Sequence, residues 1–205
     1  FNFEFQSNSS YRDTYNYLYN SLKTYVPLLY ENASEVKISD AAANSPNNYT
    51  VLTLTANDEI NSFLDAVIGG FVIAPETSVS LTFNPRSNNI ILRGKSEALE
   101  YSGLIMADVE FDVNNSSRDS MSMRIKSGGV YRGTTLLMPN FNLTGGAREN
   151  RISITAGFKD KESNRSAMLG VAAKFGRDTQ TNHRSIRINV TPSHFTVDTL
   201  QWKLY

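Results

Sequence analysis

The side chains able to do chemistry are few and scattered. His183 lies in a polar turn and His194 just before a strand-like run. Neither has a second ligand at the spacing that holds a metal, so both read as solvated. There is no cysteine, which removes disulfides and thiolate sites and leaves the redox compartment unread. Gly94-Lys95-Ser96 ends like a phosphate loop, but the glycine needed five residues before Gly94 is Asn89 and no helical pattern follows. No G-x-S-x-G elbow occurs. Asp108, Glu110 and Asp112 fall on alternate positions and could form an acid cluster; interleaved with Val109 and Phe111, they read as the wet face of a strand. Six tyrosines crowd Tyr11 to Tyr30. Such rings serve as sugar platforms, as lipid-interface belts, or as amphipathic packing with the hydroxyls in water. The pattern supports no catalysis, metal or cofactor, and the chain reads as non-enzymatic.

The elements that carry these residues are mostly strands. Apolar and polar residues alternate with period two, the signature of half-buried β-structure. Val79, Leu81 and Phe83 alternate with serines and a threonine; Ile105, Ala107, Val109, Phe111 and Val113 oppose Met106, Asp108, Glu110 and Asp112. Met121, Met123 and Ile125, then Ile152, Ile154, Ala156 and Phe158, then Leu169 to Phe175, then Ile186 to Val190 follow the same rule. Phe1, Phe3 and Phe5, and Val36 with Ile38, do so near the start. Roughly ten or eleven strands result.

Two segments have helical spacing instead. Tyr11, Tyr15, Leu18 and Leu22 make a stripe, with Ser10 and Asp13 as a capping box and Pro27 as the stop. Tyr15, Leu18 and Leu22 are therefore expected inside. Ile60, Phe63, Leu64, Val67 and Ile68 make a second stripe, capped by Asn57 or Asp58 and ended by Gly69-Gly70. The two helices belong to a weak repeat: Phe3 and Leu52, Asn8 and Asn57, Tyr11 and Ile60 recur in register, and Pro27 matches Pro75. The expected architecture is a single domain over 1–205 with an internal repeat of 1–48 and 50–85. It is mainly β, a long antiparallel meander curled into a taco-like or sandwich-like sheet, with the duplicated strand-helix-strand unit near the N-terminus.

Composition narrows the partners. The 205 residues carry 20 basic and 20 acidic side chains, so the net charge is zero. That argues against nucleic acid and against general adhesion to anionic membranes. The longest apolar stretch, Ala66 to Ala74, is far short of the ~20 residues of a membrane helix. The chain starts mid-pattern at Phe1, which reads as a fragment of something longer.

Two segments resemble recurrent elements of the long TamB-like proteins (translocation and assembly module, AsmA-like superfamily). One is Ile73-Ala74-Pro75-Glu76-Thr77-Ser78-Val79-Ser80-Leu81-Thr82-Phe83-Asn84-Pro85, which follows a short helix. The other runs from Val190-Thr191-Pro192-Ser193 to Trp202-Lys203-Leu204. The resemblance implies an elongated β-structure with an apolar groove, in the periplasm of a cell envelope. It implies phospholipid acyl chains as partners, and outer-membrane assembly machinery reached through regions outside this chain. Two helices depart from that pattern and could cap the groove.

An apolar sheet face wider than two helices can cover must fold over on itself or hold an apolar guest. In the lipid reading Ile105, Val109, Phe111, Met121, Met123, Ile125, Ile152, Ile154 and Phe158 line one continuous face, since they share the phase of alternation. Phe111→Arg is then expected to spare the fold and block lipid. The other reading is a β-sandwich adhesin or carbohydrate-binding module of the envelope.

Overall fold

The computed structural model describes residues 2–7, 10–29, 50–56, 59–84, 87–117, 120–160, 162–178 and 180–204. The chain forms β1 (Asn2–Ser7), α1 (Tyr11–Tyr25), a 3-10 turn (Pro27–Leu29), β2 (Thr50–Thr55), α2 (Ile60–Val67), β3 (Phe71–Ile73) and β4 (Ser78–Asn84). A meander follows: β5 (Asn89–Tyr101), β6 (Leu104–Ser117), β7 (Ser120–Arg132), β8 (Thr135–Arg148), β9 (Arg151–Asp160), β10 (Arg165–Arg177), β11 (Arg184–Val197) and β12 (Leu200–Leu204). All twelve strands lie in one antiparallel sheet that does not close. Its order is β1-β2-β4-β5 and then every strand in sequence to β12, with β3 beside β5. The expected strand at Val36 and Ile38 and the Asn8–Asn57 match lie outside the described residues; the N-cap of α2 is Glu59, not Asn57 or Asp58, and its side chain makes no capping hydrogen bond.

Both expected helices are present, each directly after a strand. Ser10 caps α1, its hydroxyl oxygen accepting from Asp13 N at 3.1 Å. Asn61 on α2 locks that helix to β3 by donating to Ile73 O and accepting from Ile73 N, at 3.0 and 2.9 Å. Both helices cover the same face of the sheet. Thr14 of α1 shares a hydrogen bond with Thr50 (3.2 Å), while Ile60 and Leu64 of α2 pack with Leu54; Thr50 and Leu54 are four residues apart on β2 and so point the same way.

The buried stripe of α1 is not the expected one. Thr14, Ser21 and Tyr25 are buried and Leu18 is half-buried, whereas Tyr15 is 64% exposed and stacks on Tyr19. The helix lies against strand ends and turns, where backbone and amide groups need partners. Tyr25 is 1% exposed, and its hydroxyl accepts from Asn115 Nδ2 at 2.6 Å. Asn115 Oδ1 in turn accepts from Ile90 N at 2.7 Å. Asn150, in the β8–β9 turn, donates its N–H to Tyr25 O at 3.0 Å and accepts from Leu28 N at 2.8 Å. Polar satisfaction, not apolar area, selects the inward face.

A crease crosses the middle of the sheet. The ladder skips Glu97 and Asp108 between β5 and β6, Asp108 with Gly128 between β6 and β7, and Gly128 with Asn140 between β7 and β8. Asp108 and Asn140 have φ of 50° and 51°, the left-handed region. Buried hydroxyls serve the carbonyls at the break: Ser96 Oγ lies 2.7 Å from Ala98 O, and Ser127 Oγ 2.6 Å from Ala107 O. Thr77 and Ser96 hydroxyls meet at 2.6 Å. The alternation slips by one here. Ser96 is buried before the crease, and Leu99, of opposite parity, packs on the α2 cluster after it.

Candidate functional site

Register carries one apolar face from β2 to β12. Leu54 faces Val79, Leu52 faces Leu81, and Leu81 faces Leu92. Leu92 leads to Val113, Met123, Gly145, Ile154, Val171 and Val190 on successive strands. A neighbouring row joins Phe111, Ile125, Leu143, Ala156 and Leu169. A third joins Met121, Ala147, Ile152, Ala173 and Ile188. Direct cross-strand partners project to the same side, so these rows make one surface.

Of the residues expected there, Phe111, Met121, Met123, Ile125, Ile152, Ile154 and Phe158 stand on this face. Ile154 is exposed and the others are half-buried. Val109 is on the face but only 1% exposed, closed in between Ser96 and the position of Ser127. Ile105 lies past the crease, opposite Glu100 and Tyr131, where the slipped alternation takes it out of phase with Val109. Phe111 lies over Gly94: a Cβ placed there would come within 2.1 Å of the ring. The most accessible apolar residues are ones the choice of strands passed over. Ile186 and Ile188 on β11 are 60% and 67% exposed, and Leu200, Trp202 and Leu204 on β12 are exposed too. The same alternation marks them in the sequence. Trp202 stacks on Phe195 with centroids 4.7 Å apart.

The opposite face is polar and carries depressions. One cavity of about 690 Å³ is lined by Arg93, Lys95, Glu110, Asp112, Arg124 and Lys126. Its charges alternate across strands: Arg93–Asp112–Arg124 and Lys95–Glu110–Lys126 are direct neighbours on β5, β6 and β7. Arg93 meets Asp112 at 3.0 Å and Lys95 meets Glu110 at 2.9 Å. The hydrogen bonds from these cations hold both carboxyls below their ordinary range, and Glu110 raises the Lys95 ammonium. Lys95 and Ser96 thus sit in mid-strand, not in a loop that could cradle phosphate. Glu110 and Asp112 are engaged with cations, and Asp108 belongs to the crease.

No group of three metal-type ligands converges among the described residues. His194 sits on β11 opposite Met168 and Lys203, and His183 in the exposed turn before it, so the two do not share a site. No described helix is long and apolar enough to cross a membrane. No protein-family model, no curated protein and no solved structure matches the chain.

Proposed function

We propose that the chain is a periplasmic segment of a TamB-like envelope protein. It acts without catalysis, offering an apolar β-face to phospholipid acyl chains during lipid transport or outer-membrane assembly. The observation that carries this reading is the continuous apolar face of an open sheet, covered by helices at one end and exposed on β9 to β12. A contiguous apolar face left bare of protein usually marks a surface that binds a partner or lipid. Each methylene of an acyl chain moved onto it gains about 0.8 kcal/mol. In this proposal the sheet curls into a taco, the two strand-helix units are a duplication within one domain, and anchoring and outer-membrane contacts belong to other regions of the parent protein. Photo-crosslinkers at Ile154 and Ile188 should capture phospholipid, and crosslinkers at Arg93 and Arg124, on the polar face away from β8 to β11, should not. Equal capture from both faces, or none from Ile154 and Ile188, refutes the reading.

The stacked, exposed Phe195–Trp202 pair favours a second reading, a carbohydrate-binding surface of the envelope. Glycan binding lost in Trp202→Ala, with no lipid captured at Ile188, would select it.

A further inference from the structure

We propose that the polar face of β8 to β11 is a binding site for phosphate groups. The register sets Arg148 opposite Arg151, Arg151 opposite Lys174, and Lys174 opposite Arg187. Four strands in succession therefore present a cation in one row, spaced by about 4.8 Å. Like charges directly opposite one another destabilise a sheet. The same sheet shows the ordinary solution on β5 to β7, where a carboxylate stands between each pair of cations. Here no carboxylate interrupts the row. Glu149 pairs with Arg148 at 3.2 Å, and among the described residues Arg151, Lys174 and Arg187 make no ion pair.

The row borders a cavity of about 560 Å³, lined by Arg148, Arg151, Lys174, Ser122, Ser153 and Glu149 among others. The Ser153 hydroxyl has no hydrogen-bond partner among the described residues and adds a donor suited to a phosphate oxygen. The site stands on rigid ground, since Asn150 ties the β8–β9 turn to α1 and the 3-10 turn. Guanidinium groups beside an ammonium and a free hydroxyl match phosphate oxygens better than a single carboxylate. A second phosphate finds cations at the next strand. The inference does not depend on the acyl-chain reading, which concerns the other face.

Lys174→Glu is the discriminating variant, because it gives the row the same alternation of sign as β5 to β7. With the full 205-residue chain, tripolyphosphate should bind in low salt, weaken as salt rises, and lose at least about tenfold in affinity in Lys174→Glu. The variant should melt at the same or a higher temperature without ligand, an outcome that damage to the fold cannot produce. Arg187→Gln should weaken binding without reversing a charge. Vesicles of phosphatidylglycerol in phosphatidylcholine separate the sources. Binding to them in preference to tripolyphosphate, lost in Lys174→Glu, assigns the phosphate to a lipid headgroup; preference for tripolyphosphate assigns it to a soluble ligand. Failure to bind either probe, equal binding by Lys174→Glu, or tighter binding of duplex DNA would overturn the proposal.

Discussion

Asn115 shows how one side chain joins distant parts of the chain. It links Tyr25 of α1 to the start of β5, buried at 4% exposure. Tyr25→Phe leaves an amide donor short of a partner and should cost about 1–2 kcal/mol; Asn115→Ala removes that amide and strands both the Ile90 N–H and the Tyr25 hydroxyl, and should cost more, about 2–3 kcal/mol. Urea unfolding of the two variants checks both values. At the other end of the sheet, Asp160 accepts from the Ser163 hydroxyl and backbone and from Arg165, which together hold its carboxyl at about 2, against 3.8 ordinarily. A lowered carboxylate stabilises the fold fully above 3.8 and loses that contribution as pH falls through about 2. Glu110, Asp112 and Asp178 are lowered too and act in the same direction. The urea midpoint should therefore fall on acidification below pH ~4, and Asp160→Asn should flatten the most acid part of that curve.

At the scale of elements, close approach matters where β5 meets β6. Gly94 leaves the space that the Phe111 ring occupies. Gly94→Ala should destabilise by about 1–3 kcal/mol through overpacking, and Phe111→Leu in the same chain should recover part of the loss. A double-mutant cycle showing no coupling would mean that the ring moves freely. The period of two made the meander legible, because every strand has to keep one side dry. The crease was not legible. Asp108 looks like the first member of the Asp108, Glu110, Asp112 wet row, and only backbone angles show that it turns the alternation over and carries Ile105 with it. The small residues Ser127, Gly128 and Gly129 were its faint trace. For α1, spacing located the helix but not its inward face, since apolar periodicity has no way to anticipate that Thr14, Ser21 and Tyr25 would meet polar strand ends.

Across the whole molecule, the uneven cover of the apolar face sets what a substitution does. Ile188→Arg, at a residue 67% exposed, should change stability by less than about 0.5 kcal/mol. Phe83→Arg, at a residue fully buried on the same face, should prevent folding. Thermal melts of the pair distinguish an accessible surface from a core, and a large loss in Ile188→Arg would show that β11 is covered after all. The candidate face was legible as a phase of alternation, but its open end was not, because alternation says which side is apolar and not what lies over it. From β4 onward each strand pairs with the one just before it in the chain, apart from the short β3. Such a sheet is a zipper. In the 205-residue chain taken alone, neighbour-to-neighbour coupling favours loss of strands from an edge, and β12, five residues long and exposed throughout, is a weak edge strand. Amide hydrogen exchange should quicken stepwise from β7 toward β12, and a chain pulled from its C-terminus should yield one hairpin at a time.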